Sequence, residues 1–364
     1  MGSMAALELA RRGQRVIGFD RFHPPHPFGS SHGKSRIIRE AYFEHPQYVP
    51  LVRRAYERWN ALEQDSGETL LVPTGGLMIG PPDGTLVSGA RQSAIVHQLP
   101  YEELPAPEVR RRFPVFQLEA HEVGLLEPRA GVLFPEAAIG AALRLARGAG
   151  AELHFGERAI EWLGGSSILV RTERGDYHAD QVVVAAGAWM GTGIARASLA
   201  LQVARQPLHW FSPVGDPAPT APRRMPVFIW EWEPGGMFYG FPDFGDGVKV
   251  AIHHQGEPAH PDTVNRVVMA EEVERLREVM KARTPALNGE LRDSSVCLYT
   301  NTPDEDFLVD RSPADPRVIL ASPCSGHGFK FAPAIGEILA DLVQGRPPRF
   351  DLSPFRIDRA GLRG

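Results

Sequence analysis

Apolar positions repeat at helical spacing from the start of the chain, where Met4, Ala5, Ala6, Leu7, Leu9 and Ala10 supply the buried surface of a helix over 3–12. Gly13 is placed to cap that helix, and a short strand over 14–20 follows, apolar at Val16, Ile17 and Phe19 and closed by Asp20. Periodicity is then lost: 23–33 is rich in Pro, Gly and His and reads as a loop. Helical spacing returns over 36–39 and over 48–62, the latter with Leu51, Ala55, Trp59 and Leu62 on one face. Gly75-Gly76 divides the apolar runs of 70–80, as a turn in the sheet of a second domain would. A short charged helix is expected over 108–113. An amphipathic one is expected over 135–150, with Ile139, Ala142, Leu143 and Leu145 inward and Arg144 and Arg147 outward.

Strands are expected over 151–155 and 167–172, with another short one from Tyr177. The apolar run 182–186, ending at Gly187, has the pattern of a strand buried on both faces. Alternating aromatic and polar positions with Gly turns over 225–252 predict antiparallel strands, and 261–283 reads as a charged helix. A second buried strand over 318–322 leads through a Gly-rich turn to a helix over 334–343. Strand–turn–helix units at both ends and in the middle put one cofactor domain on discontinuous segments.

At 364 residues the chain is long enough for two interleaved domains. Lys plus Arg number 39 against 44 for Asp plus Glu, a balance that offers nucleic acid no basic face. The basic run Arg110-Arg111-Arg112 reads as a solvated helix face. Cys297 and Cys324 are the two cysteines, too few for a disulfide framework, so a reducing cytoplasm is the expected compartment. The longest apolar stretch, 182–190, is far below the roughly 20 residues of a membrane-spanning helix. No basic segment with an apolar core opens the chain, so no signal peptide is expected.

Helix, turn, strand and terminal acid over 3–20 form the second half of a dinucleotide-binding βαβ unit. Gly2 stands where the third fingerprint glycine belongs, and Asp20 where an acid takes the ribose hydroxyls. The first strand of that unit and its first two glycines are missing from the sequence, which puts cofactor binding in question.

Four strings carry a family resemblance: Gly29-Ser-Ser-His-Gly-Lys-Ser-Arg-Ile-Ile-Arg39, Tyr239-Gly-Phe-Pro with Lys249 and His253, Cys297-Leu-Tyr-Thr-Asn-Thr-Pro-Asp304, and Ser325-Gly-His-Gly-Phe-Lys330. They occur in the order found in the monomeric sarcosine oxidase and N-methyltryptophan oxidase family, which the chain resembles over nearly its whole length. The resemblance implies an α/β fold: a doubly wound, Rossmann-like FAD domain on 1–66, 131–199 and 298–364, here without its first strand. A substrate domain with a mixed or antiparallel sheet would occupy 67–130 and 200–297. It also implies oxidation of an N-methyl amino acid to an imine, which water splits to the free amine and formaldehyde while dioxygen becomes hydrogen peroxide.

The same resemblance assigns roles. Cys297 would attach FAD through a thioether to its 8α-methyl carbon; Cys324 has no counterpart and reads as a structural or free thiol. Arg39 and Lys330 would bind the substrate carboxylate, a planar fork joined by a flexible point charge. Lys249 would sit where oxygen is reduced, stabilising the charge that develops. His253, expected on the same strand face as Lys249, would hold the substrate or tune its amine, with Tyr239 and Tyr299 as pocket walls. His32, Ser35 and Arg36 would lie beside the flavin, Gly187 would give a second backbone approach to it, and the Gly326–Gly328 turn would lead to a helix start facing its carbonyl. No metal ligand is assigned.

The aromatic segment Val227-Phe-Ile-Trp-Glu-Trp232 would favour stacking on a larger substrate. Sarcosine and N-methyltryptophan are the candidate substrates, dioxygen the co-substrate, and a monomer the expected form, with no nucleic acid or membrane partner. The alternatives are an oxidase of a cyclic secondary amine such as pipecolate or proline, and a truncated, non-catalytic flavoprotein. An NAD(P)-dependent dehydrogenase would leave Cys297, Lys249 and the Gly326 turn unexplained.

Overall fold

The computed structural model describes residues 1–362 except Gln255; Arg363 and Gly364 also lie outside the described residues. The chain opens with helix α1 (Gly2–Arg11), strands β1 (Ile17–Asp20) and β2 (Arg36–Ile38), and helix α2 (Tyr48–Ser66). Strands β3 (Leu71–Pro73) and β4 (Gly76–Gly80), helix α3 (Thr85–His97), strand β5 (Glu102–Pro105) and helix α4 (Ala106–Arg112) follow. Next come β6 (Val123–Glu127), β7 (Gly131–Leu133), α5 (Pro135–Gly148), β8 (Glu152–Phe155), β9 (Ala159–Leu163), β10 (Ile168–Thr172), β11 (Asp176–Ala179) and β12 (Val182–Val184). The remainder is β13 (Gln202–Phe211), β14 (Val227–Glu233), β15 (Gly236–Phe241), β16 (Val248–His253), α6 (Ala270–Arg283), β17 (Leu291–Asn301), β18 (Leu308–Arg311), β19 (Val318–Ser322) and α7 (Ala332–Val343).

Helix α1 buries the six apolar residues its spacing singled out, all but Leu9 in one core with α2, α5 and α7. The crossing of α1 and α7 is close: a Cβ on Gly336 would stand 2.8 Å from the carbonyl carbon, carbonyl oxygen and Cβ of Met4. Ion pairs tie α7 to its neighbours, with Arg12 at the end of α1 on Asp341 at 2.6 Å and Arg54 of α2 on Glu337 at 2.6 Å. Outside the large sheet, parallel strands form two separate ladders, β1 with β8 and β12 with β19, the latter extended by antiparallel β18. The fold is α/β, as expected.

The second layer is an eight-stranded mixed sheet in the order β17-β13-β16-β15-β14-β4-β6-β5. Alternation gives this sheet two different faces. Val248, Val250, Phe228, Trp230 and Phe238 enter a core with α4 and α6, while Lys249, His253, Ile229, Tyr239 and Phe241 line a cavity on the other side. The expectation that 227–232 offers aromatic rings to a substrate is therefore corrected. Phe228 and Trp230 face the core, Trp230 Nε1 donates to Glu122 at 2.8 Å, and Ile229 is the one of the six that reaches the cavity.

Three other readings change. Residues 36–39 are not helical: Arg36–Ile38 is a strand paired antiparallel with β7, and four residues are too few for periodicity to decide. Within 261–283 the helix starts only at Ala270, because the preceding stretch spends its polar groups elsewhere. Asp262 takes Trp189 Nε1 at 2.8 Å, and Arg266 donates to the Pro27 and Phe28 carbonyls. Helix α3 was not anticipated; its N-terminal N–H groups, those of Thr85 and Leu86, are capped by the distant Glu231 carboxylate.

The α1–α7 crossing generates a stability prediction. Gly336→Val should lower unfolding free energy by about 1–3 kcal/mol through overpacking. Denaturant unfolding would check this, and an unchanged midpoint would contradict so close a crossing.

Candidate functional site

One cavity of about 1300 Å³ lies between the two layers, larger than the roughly 300–1,000 Å³ of ordinary small-molecule pockets. Its first part is lined by the N-terminal turn of α1, by β1 through Asp20, and by β12. A helix N-terminus presents free N–H groups and a partial positive charge, which suits phosphate. Asp20 Oδ1 accepts the Phe22 N–H at 2.8 Å, and this turn fixes the carboxylate at the strand end. Gly2 is at the cavity, but a Cβ there would meet only the Ala185 Cβ at 3.7 Å, an ordinary contact. Gly187 has φ +54° at the end of the β12 run and also borders the cavity. Cys324 lines this region as well, half-buried and free, its thiol pushed up by burial.

The other part is built around cations. β16 runs without a bulge against β15, so Lys249 and His253 share a face as the spacing required. Lys249 is 2% exposed and all three ammonium donors are used: on Gly33 O at 2.7 Å, Ser35 O at 3.0 Å and Ser35 Oγ at 3.2 Å. Burial, and then the Arg36 charge, pull its pKa well down. Glu136, in the first turn of α5, holds the same loop from the other side by accepting the Gly33 and Lys34 N–H groups at 2.8 and 3.0 Å. Arg36 donates to Ser35 O, to Ser30 O and, at 3.4 Å, to the Sγ of buried Cys297.

Of the residues singled out from sequence, His32 alone does not line the cavity; it is buried behind it, with Nε2 unpartnered among the described residues. Burial and then the charges of Arg36 and Lys249 push its pKa down to about 3, so the ring is neutral. His253 is likewise held neutral, chiefly by burial, and its Nδ1 meets the Tyr299 hydroxyl at 3.1 Å. Tyr239 and Tyr299 complete this wall, and Gly326, with φ +75°, lies so near Tyr299 that a Cβ would stand 2.7 Å from its ring. The turn is tight at Gly328 too, where a Cβ would be 1.7 Å from the Pro323 carbonyl oxygen.

Arg39 and Lys330 are brought together from the two ends of the sequence. The Arg39 guanidinium is stacked on the Tyr42 and Phe43 rings at 4.3 and 4.6 Å, and Nη2 reaches both Glu44 oxygens at 2.7 and 2.6 Å. Burial pushes the Glu44 carboxyl up, but the Arg39 charge and hydrogen bond together with the other nearby cations hold the pKa below its usual value. Trp59 of α2 donates to the Lys330 carbonyl at 2.8 Å, while Lys330 Nζ donates to His327 O at 2.6 Å and Tyr42 Oη at 3.2 Å. Burial lowers the Lys330 pKa to about 7. His327 Nε2 faces the Glu305 carbonyl at 3.0 Å and so carries the proton, leaving Nδ1 to accept from Tyr42 at 2.5 Å. Sequence reasoning missed Glu44, Tyr42 and this use of His327; an acid five positions after Arg39 gives no local signal that the two will meet.

The residues fit a flavin dinucleotide: a phosphate-seeking helix start and an acid in one part, and a thiol with nearby cations in the other. The comparisons agree. The model of a family described as FAD dependent oxidoreductase matches residues 1–342. A monomeric sarcosine oxidase of Streptomyces avermitilis is 42% identical over 348 residues, covering 94% of this chain and 91% of that protein. An N-methyl-L-tryptophan oxidase of Salmonella heidelberg is 36% identical over 366 residues, covering 99% and 96%. Among solved structures, NikD, an amino acid oxidase of nikkomycin biosynthesis, superposes with TM-score 0.85 at 25% identity, covering 98% of this chain and 95% of its own.

The depressed Lys330 pKa yields a pH prediction. Its ammonium is present below about pH 7 and is lost as pH rises through that value. A bound carboxylate favours the charged form, so binding takes up a proton above pH 7. The inhibition constant of an amine-free carboxylate such as propionate should therefore rise above pH 7, by at most about tenfold per pH unit. Lys330→Met should flatten that rise, and an unchanged slope in the variant would exclude Lys330 as its source.

Proposed function

We propose, from the premise that this chain belongs to the family of FAD dependent oxidoreductases, that it oxidises a small N-methyl amino acid such as sarcosine or N-methyltryptophan. The products are the demethylated amino acid, formaldehyde and hydrogen peroxide, with dioxygen as acceptor and the monomer as working form. The observation that carries this reading is a single cavity lined by Asp20 and the α1 N-terminus in one part and by Cys297, Lys249, Arg39 and Lys330 in the other.

When bound, FAD supplies the two-electron redox step between the methyl C–H and dioxygen. The chain's own residues do the rest. Arg39 and Lys330 take the substrate carboxylate, Arg39 sharing its fork with Glu44 or releasing it. Neutral His253 and the un-ionised Tyr239 and Tyr299 hydroxyls orient the amine and place no anion beside it that would keep it protonated. Lys249, held by Gly33 and Ser35, fixes a positive charge near the site of oxygen reduction. Arg36 donates to the Cys297 sulfur and holds in place the atom that would join the flavin 8α carbon. Asp20 takes the ribose hydroxyls, with Gly187, Gly326 and Gly328 as close backbone approaches and His32 and Ser35 behind the flavin edge. The cofactor domain comprises 1–66, 131–199 and 298–364.

Purified protein given sarcosine or N-methyltryptophan should release formaldehyde and peroxide in equal amounts, and failure with every N-methyl amino acid tried would overturn the reading. Mass spectrometry of the denatured protein should find the flavin mass on the Cys297 peptide. Cys297→Ser should lose that mass; a flavin retained covalently elsewhere would refute the attachment.

A further inference from the structure

The segment carrying Arg39 leaves its strand at Ile38, so from Arg39 onward it has no ladder to fix it. It is fixed instead by a carboxylate from the other layer. Glu127, the last residue of β6, is 1% exposed, and its two oxygens accept the N–H groups of Glu40 and Ala41 at 2.7 and 2.8 Å. A buried carboxylate is stable only when its oxygens are met, and these two backbone donors meet one each. Helix α3 adds a third hold: Ser93 Oγ donates to the Tyr42 carbonyl, and Gly89 lets the helix approach Phe43, where a Cβ would lie 2.3 Å from the carbonyl oxygen. Glu127 does not line the cavity, whereas Arg39, Phe43 and Glu44, on the segment it holds, do.

We propose that Glu127 is a positioning residue for carboxylate recognition, fixing the backbone next to Arg39 so that its guanidinium meets the substrate beside Lys330. This rests on the reading of Arg39 as a carboxylate ligand. Glutamine at 127 would keep one acceptor oxygen but set an amide NH₂ against a backbone N–H. One hold on the segment would then become a repulsion without any change of volume. The effect should fall on binding, because no reacting atom touches Glu127.

In the flavin-loaded enzyme, Glu127→Gln should raise KM for the N-methyl amino acid and the inhibition constant of propionate in parallel, each by about tenfold, while kcat changes less than about twofold. Arg39→Lys is measured alongside: if it raises neither constant, the reading of Arg39 fails. If Arg39→Lys raises them and Glu127→Gln does not, the positioning role fails. A variant that loses flavin content and kcat with KM unchanged would mark Glu127 as merely structural and also overturn it. Should Glu127→Gln not accumulate folded, Glu127→Asp, too short to reach both N–H groups, allows the same comparison.

Discussion

Lys249, Lys330 and Arg39 are all drawn out of water around one cavity, with half-buried Arg36 beside them, and a cation in that position is tolerable only if its donors are met. Glu44 supplies a carboxylate to Arg39; the other acceptors are mostly backbone carbonyls. Gly33 and Ser35 serve Lys249, Ser30 and Ser35 serve Arg36, Ala41 serves Arg39, and His327 serves Lys330. With its carbonyls turned toward these cations, the stretch from Ser30 to Glu44 is loop with three residues of strand, and its shape is held from outside by Glu136, Glu127 and Ser93.

The large sheet resolves a related conflict. A strand carrying Lys and His cannot be buried on both faces, yet this sheet must pack against helices to be stable. Alternation separates the two demands, sending Val248 and Val250 to the core and Lys249 and His253 to the cavity. The cavity face thus carries the polar groups, and the opposite face stabilises the fold by aromatic burial.

Long elements with one strong period were legible in the sequence, α1, α2, α5 and α7, as were the apolar runs β12 and β19, although β12 is half-buried because one side of it lines the cavity. What escaped was local pattern overridden by distant partners. Arg36-Ile-Ile-Arg39 has helix-like spacing, but β7 claims its first three residues. The Thr85–His97 helix has a weak apolar face, interrupted by a Gly89 whose purpose lies in Phe43, 46 positions away. At the site, residues carried by the family strings were readable because those strings are contiguous. Glu44, Tyr42 and Glu127 were not, since their roles exist only through contacts between segments, and the aromatic run 227–232 misled because alternation was read without knowing which face met the cavity.

Cys297 occupies the middle of β17, opposite Gln206 in a register that runs from Leu291 to Asn301 along β13. The consequence is tolerance to change nearby: loops at either end of that ladder can lengthen, shorten or change composition while the sulfur keeps its place in the register.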